Sequence, residues 1–247
     1  MIELYSFPTS TCSLKVRICL AEKGLEYKEH RLSPGENGHL TDEYLRMNPN
    51  GVVPTLVHDG TVVIDSSVIL EYLDEVFPEP SFSPASPAGR AGMRAWLRFF
   101  EEKPTPAVRY PTFQKFLIHN YTKLSPEQFE KAAERRPLKT DFYKRMGQDG
   151  FTEAEIAKAM DDVRLTIDRM ETELAANGPW IMGDQYTLAD MCVAPLIDRM
   201  DDLGHREMWE AAHPAVTAWF AAMRSRPAFE AAYYPGSRMS EFYPERA

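Results

Sequence analysis

The sequence predicts a small α/β unit in residues 1–80 and an all-helical domain in residues 89–247, joined by a linker at 81–88. Three observations carry that prediction: a strand–helix–strand–hairpin–helix order crowded into the first part of the chain, a stretch dense in proline and serine at residues 78–88, and no convincing strand signal beyond it. Residues 2–7 (IELYSF) alternate as a short strand. Small polar residues at 8–13 break it, and a helix is predicted from Leu14, with Val16, Ile18, Cys19 and Leu20 at apolar positions and Gly24 as its stop. Residues 27–32 read as a second strand, and so short a crossover makes the two strands parallel and right-handed. A turn-rich segment at 33–41, a short helix at 42–47 and the turn residues Asn48, Pro49, Asn50 and Gly51 follow. Strands at 55–57 and 61–64 are joined through His58, Asp59 and Gly60, whose Asp-Gly pair is a strong hairpin signal. Asp65, Ser66 and Ser67 cap the next helix, which shows an apolar face of Val68, Ile69, Tyr72, Leu73 and Val76 and ends at Pro78.

Beyond the linker, helices are predicted at 88–102, 112–120, 125–135, 152–176, 187–203 and 214–224, punctuated by Pro104, Pro106, Pro111, Pro137, Pro179 and Pro227. Thr187 and Asp190 stand at N-cap and N3 spacing, so hydroxyl and carboxylate can satisfy each other's orphan amides in a capping box. That pair reads as a folding device and not as a binding site.

A chain with 44% hydrophobic and 26% charged residues has the composition of an ordinary soluble globular protein, and no apolar run approaches membrane-spanning length. The opening residues lack the basic head, long apolar centre and small-residue cleavage site of a secretory signal, so the expected compartment is the cytoplasm. A formal charge of −9, with the basic residues interspersed among acids, disfavours nucleic acid as a partner. Cys12, Cys19 and Cys192 form neither a paired framework nor a zinc-type cluster, so free thiols and no metal are expected.

The opening strand with its Ser10, Thr11, Cys12, Ser13 loop, the Asn-Pro-x-Gly-x-Val-Pro-x-Leu run at 48–56, Asp65-Ser66 at a helix start, and Gly183, Asp184, Thr187 and Asp190 occur here in one order and spacing. Along essentially its whole length the chain resembles the cytosolic glutathione transferase superfamily. That resemblance implies a thioredoxin-like N-terminal domain that holds glutathione as cosubstrate. It also implies a helical domain supplying the pocket for a small apolar or aromatic electrophile, and a dimer whose partners the sequence leaves open as identical or paralogous. The Ser-Thr-Cys-Ser loop before Val16, Arg17 and Ile18 is similar to the zeta class. The longer helical insert around 112–152 and the ending at 234–241 (YPGSRMSE) look more like the bacterial β-etherase transferases, which cleave aryl ethers in lignin fragments. The second likeness carries more weight because it uses less universal segments.

In such an enzyme the nucleophile is the thiol of glutathione, which the protein has only to ionise and aim. Lowering a thiol pKa of about 8.5 by two units takes roughly 2.7 kcal/mol of differential stabilisation. A hydroxyl hydrogen bond to an anion supplies about 1.5–3 kcal/mol and a helix N-terminus roughly 0.3–1 kcal/mol, so no general-base histidine is required. Ser13, last in the loop and immediately before the predicted helix, is the first candidate for that hydroxyl; Ser10 is the second. The zeta-like alignment favours Ser10, the β-etherase-like alignment favours Cys12 and Ser13, and Ser13 also suits a plain N-cap. Cys12 at a helix start could instead form a mixed disulfide with glutathione and run deglutathionylase chemistry. Lys15 occupies the place of a second cysteine at C-x-x-C spacing, which argues against a dithiol oxidoreductase. Cys19 and Cys192 suit core packing.

By residue type alone Pro54 is a turn or edge proline; the resemblance implies a cis Val53–Pro54 bond with the Val53 backbone pairing with the cysteinyl unit of glutathione. Asp65 and Ser66 at a helix N-terminus suit the γ-glutamyl zwitterion, the amides and hydroxyl taking its carboxylate and the acid its ammonium. Many relatives place Gln, Lys or His immediately before the Val-Pro pair. This chain has Val52 there, which leaves His39 and Asn50 as candidates for the glycyl end. Pro8 and Thr9 are expected to line the electrophile pocket, with Tyr110, Phe113, Phe116, Tyr234 and Phe242 as aromatics for stacking, although helical spacing equally suits a core. The 233–245 tail is expected to fold over it. The leading reaction is thiolate attack on an activated carbon with phenolate leaving. Its rivals are zeta-like isomerisation of a maleyl double bond, for which Arg17 and Arg109 are the side chains to inspect, and a non-catalytic ligand-binding module, against which the intact Ser, Val-Pro and Asp-Ser features argue.

Overall fold

The computed structural model describes residues 1–32 and 37–247. Strand β1 (Ile2–Ser6) leads through α1 (Thr11–Glu22) to β2 (Lys28–Arg31), then a short 3-10 turn (Gly38–Leu40) and α2 (Asp42–Met47), the hairpin β3 (Thr55–His58) and β4 (Thr61–Ile64), and α3 (Ser66–Val76). The sheet order is β2-β1-β3-β4, with β1 parallel to β2 and antiparallel to β3. Leu4 and Leu56 stand opposite each other in register, both fully buried. They belong to one apolar cluster with Val16 and Leu20 of α1 and Ile69 and Leu73 of α3. Asp59 and Gly60 both take positive φ (48° and 83°), the conformation that a two-residue hairpin turn requires.

Helix α1 starts three residues sooner than the sequence predicts. Ser10, with φ −74° and ψ 120°, is its N-cap, and its hydroxyl accepts the Ser13 amide hydrogen at 3.3 Å. The small polar residues taken for loop are the helix's first turn, where orphan amides favour them as much as a loop does.

The rest of the chain is helical: α4 (Pro87–Glu102), α5 (Pro104–Ala107), α6 (Arg109–Thr112), a π-helical turn (Phe113–Leu117) and a 3-10 turn (Ile118–Asn120), α7 (Pro126–Glu134), α8 (Thr140–Met146), α9 (Glu153–Asn177), α10 (Leu188–Asp202), α11 (Pro214–Arg224), α12 (Pro227–Ala232) and α13 (Met239–Phe242). Helix α4 begins inside the stretch read as linker, with Ser86 as its N-cap and Pro87 in its first turn. The single helix predicted at 112–120 is a change of helix type, and α5, α8, α12 and α13 are too short to show a period in sequence. Helix α10 is buried along most of its length, Pro195 included, and packs on α1 to join the two domains.

The capping box forms as predicted and reaches further. Asp190 Oδ2 accepts from the Thr187 amide (2.9 Å) and hydroxyl, while Oδ1 accepts from the Ile181 amide (3.0 Å) and from Trp219 Nε1 of α11 (2.9 Å). Burial pushes this carboxyl up to about 6 against those donors, which pull it down. A second, smaller core of Ile118, Phe129, Ala133, Tyr143, Met146 and Phe151 underlies α7 and α8 and holds the insert they form. Among the described residues no helix is long and apolar enough to cross a membrane.

Candidate active site

A cleft of about 240 Å³ opens between the head of α1, the β3 and α3 entrances, and the helical domain. Ser10, Thr11 and Cys12 line it. Ser13 does not. It lies inside the first turn of α1, fully buried, and its hydroxyl has no hydrogen-bond partner among the described residues. Because the helix starts earlier than predicted, the residue at its head is Ser10, and the first-choice position of Ser13 is corrected accordingly.

Val53 and Pro54 form the facing wall, and the bond between them is cis. The approach to it is held by Tyr44, which the sequence did not single out, and by Asn48, which it read as turn. The Tyr44 hydroxyl donates to the Val52 carbonyl at 2.7 Å and the Asn48 amide donates to the same carbonyl at 2.8 Å, and both also reach Thr55 Oγ1. Asn50 lies outside the cleft; its backbone amide donates to Asn48 Oδ1 at 3.1 Å, so it serves the turn. Asp65 and Ser66 line the cleft at the head of α3. Asp65 Oδ1 accepts from the Ser67 amide (3.0 Å), the Ser67 hydroxyl (2.7 Å) and the Val68 amide (3.3 Å), so the cap uses one oxygen and leaves Oδ2 with no partner among the described residues. Val52 also faces the cleft, as does His39, set edge-on to Phe7 at 4.9 Å. Burial, then the charges of Arg136, Lys139 and Arg135, push the His39 imidazole down to about 4, so it is neutral at pH 7.

Of the residues expected around the electrophile, Thr9 and Phe113 line the cleft. Pro8, Tyr110 and Phe116 do not. The Pro8 carbonyl accepts from Arg17 Nη2 at 2.7 Å. Tyr110 packs on Phe142 and Phe151 at 5.4 and 4.4 Å, and Phe116 is fully buried, stacked under Tyr243. Tyr234 is sandwiched between the guanidinium groups of Arg17 (4.3 Å) and Arg31 (3.9 Å), and Phe242 is exposed. The tail reaches the cleft through Met239 and Tyr243 instead. Arg17 is buried away from the cleft, whereas Arg109 lines it together with Arg136, Lys139 and Arg199. Arg136 and Lys139 flank a proline between two short helices, where no periodicity points inward.

Beneath the floor, Lys15 Nζ pairs with Glu101 Oε1 at 2.6 Å and donates to Thr105 Oγ1 at 3.1 Å. Burial pushes the Cys19 thiol up to about 12 and raises that of Cys192, so neither is a thiolate at neutral pH, in keeping with core packing. Cys12 is half-buried and faces the cleft. Among the described residues no group of three or more His, Cys, Asp or Glu is placed to hold a metal.

A helix head with a hydroxyl, a helix start with a one-sided carboxylate and a backbone wall thus meet in one cleft, with cations also among its lining residues. A family model for the glutathione S-transferase N-terminal domain matches residues 4–81, and one for the glutathione S-transferase C-terminal domain matches residues 153–222. The chain belongs to the glutathione S-transferase family. Protein LigF of Sphingobium sp. strain SYK-6 is 31% identical to this transferase over 244 residues, 96% of this chain and 95% of the relative. The crystal structure of β-etherase LigF from that strain superposes with a TM-score of 0.84 at 30% identity, covering 94% of this chain and 98% of that one. A tetrachloro-p-hydroquinone reductive dehalogenase of Sphingobium chlorophenolicum is 27% identical over 94% of this transferase and 95% of its own length. A zeta-class glutathione S-transferase of Euphorbia esula is 33% identical over 139 residues, 50% of this chain and 62% of that one. The N-terminal domain of this transferase is thioredoxin-like, and its segment 82–152, between the two matched stretches, carries Arg109, Arg136 and Lys139.

Proposed function

We propose that this transferase ionises the thiol of glutathione at the head of α1 and directs it at an electrophilic carbon of an aromatic substrate, cleaving a β-aryl ether. The observation that carries this reading is the convergence of residues 10–12, Val53–Pro54 and Asp65–Ser66 in one cleft from three separate elements. Ser10 already accepts from the Ser13 amide, so its own hydrogen is free to be donated to a sulfur anion, and the amides at the head of α1 add their partial positive charge. The free Oδ2 of Asp65 takes the γ-glutamyl ammonium while Ser66 and the head of α3 take its carboxylate. The Val53 backbone pairs with the cysteinyl unit, and neutral His39 donates to the glycyl carboxylate. The thiolate forms the new C–S bond as the C–O bond breaks, and the electron pair leaves on a phenoxide. The likeness to β-etherase LigF along both chains supports the ether as substrate.

A second reading, glutathione-dependent isomerisation of a maleyl-type dianion, is favoured by Arg109 on the cleft wall. Incubation with glutathione and a β-aryl ether ketone beside maleylacetone separates the two. Release of a phenol with a glutathione thioether is expected; consumption of maleylacetone alone, or of neither, discards the ether reading, and failure to bind a glutathione column favours a non-catalytic module. Family membership further supports a dimer, which light scattering of the purified protein reads directly, and a cytoplasmic location, which cell fractionation reads.

A further inference from the structure

The cleft carries more positive charge than its own residues neutralise. Of its two acids, Glu101 pairs with Lys15, and Asp65 caps α3 through Oδ1 and keeps Oδ2 for the γ-glutamyl ammonium. Arg199 has Asp202 at 3.9 Å. Among the described residues no carboxylate lies within ion-pair distance of Arg109, Arg136 or Lys139. Arg136 is only 6% exposed; its Nη1 donates to the Ala132 carbonyl and its Nη2 to Asn37 Oδ1 at 3.0 Å, and its guanidinium lies 4.5 Å over the Tyr143 ring. Its Nε is buried with no partner among the described residues. Arg109 stands four residues before Phe113 on a continuous helical run, so the two share the wall on which the electrophile would lie.

Burying an unpaired charge is costly, and the Arg109 and Arg136 cations raise the cost of a third charge on the Lys139 amine beside them unless an anion arrives to share it. Resting on the transferase reading above, we infer that Arg109, Arg136 and Lys139 form a seat for an anionic oxygen group fixed on the aromatic electrophile, a carboxylate in the simplest case. Lys139 is half-buried, with its amine near Arg109 and Arg136. Burial, then Arg109 and Arg136, push that amine down to about 7. The other titratable groups facing it are Cys12 of α1 and His39 of the 3-10 turn. A bound carboxylate raises the amine's proton affinity, so a proton is taken up on binding near pH 8. The seat lies in segment 82–152, outside the two matched family stretches, where a substrate preference particular to this chain is expected to reside.

The test is calorimetric titration with benzoate against benzamide, and with S-(4-carboxybenzyl)glutathione against S-benzylglutathione. The carboxylate member of each pair is expected to bind about tenfold more tightly, the effect of one or two charge-assisted hydrogen bonds, with proton uptake at pH 8. That preference is expected to collapse in both Lys139→Met and Arg109→Met and to survive in Lys139→Arg; two independent positions keep the test decisive if one variant does not fold. Equal binding within each pair by the wild type, or a preference that persists in both variants, overturns the seat. So does a loss confined to glutathione itself with the conjugate ratio unchanged, which would assign these cations to the glycyl carboxylate. The benzoate comparison needs no glutathione, so it decides the seat even if wild-type failure to bind S-benzylglutathione were to sink the transferase reading.

Discussion

Ser10 Oγ accepts the Ser13 amide hydrogen at 3.3 Å, while the Ser13 hydroxyl, three residues on, is buried without a partner among the described residues. One serine therefore closes the helix head and faces the cleft, and the other is packed into the interior.

Ser10→Ala is expected to lower kcat/KM for glutathione about 10- to 100-fold, the equivalent of a hydrogen bond to an anion, and to move the pH–rate profile upward as the thiol loses its stabiliser. It also removes the cap, at about 1 kcal/mol of stability. Ser13→Ala deletes an unsatisfied buried hydroxyl and is expected to keep both activity and melting temperature. Steady-state kinetics with thermal melts check both, and the opposite pattern returns the catalytic role to Ser13.

Asp65 is asked to cap α3 through one oxygen and to hold an ammonium through the other. Asp65→Asn keeps an oxygen for the Ser67 and Val68 amides, so stability is expected to fall by less than about 1 kcal/mol, while KM for glutathione rises about tenfold. A glutathione analogue lacking the α-amino group would show no such difference between wild type and variant. If it does, the carboxylate serves the fold alone.

His39 titrates at about 4 in the fold against an ordinary 6.5. Between those values the unfolded chain binds a proton that the folded ring refuses, so the stability contributed by the neutral ring is complete above about 6.5 and is lost as pH falls through about 4. His39→Gln is expected to flatten the melting-temperature profile across that window while raising KM for glutathione. A profile as steep as the wild type's removes His39 from the account of acid sensitivity.

The tail is tied down by Asp202, which accepts the Met239 amide at 2.8 Å, by Arg238 paired with Asp198 at 2.8 Å, and by Arg246 donating to the Phe116 carbonyl. Truncation after Phe229 is expected to raise KM for an apolar electrophile, but it also strips buried Met239 from the core. Tyr243→Ala is the cleaner probe: a several-fold rise in KM for an aryl substrate with KM for glutathione held constant is expected. An unchanged aryl KM would leave the tail as packing only.

The features legible in sequence are those made within a few residues of themselves. The Asp59-Gly60 turn, the Asp65 cap and the Thr187–Asp190 box depend on local donors and acceptors, and each forms where its residues stand. Asp190 shows the limit of that reading, since its second oxygen reaches Trp219, twenty-nine positions away, which no local rule could reveal. Ser13 shows another: the loop and the first turn of a helix prefer the same small polar residues, so composition left the start of α1 undecided and only packing against the sheet settled which serine faces the cleft.

By itself the sequence determined the order of elements, the two-part chain and the motifs that mark the family, because these follow from periodicity, caps and residue spacing within short reach. Only the tertiary structure decided that Phe116 and Tyr110 are core, that Tyr243 returns to the cleft, and that Arg109, Arg136 and Lys139 converge there. Burial and charge compensation are properties of contacts between distant segments, and chain order does not encode them one residue at a time.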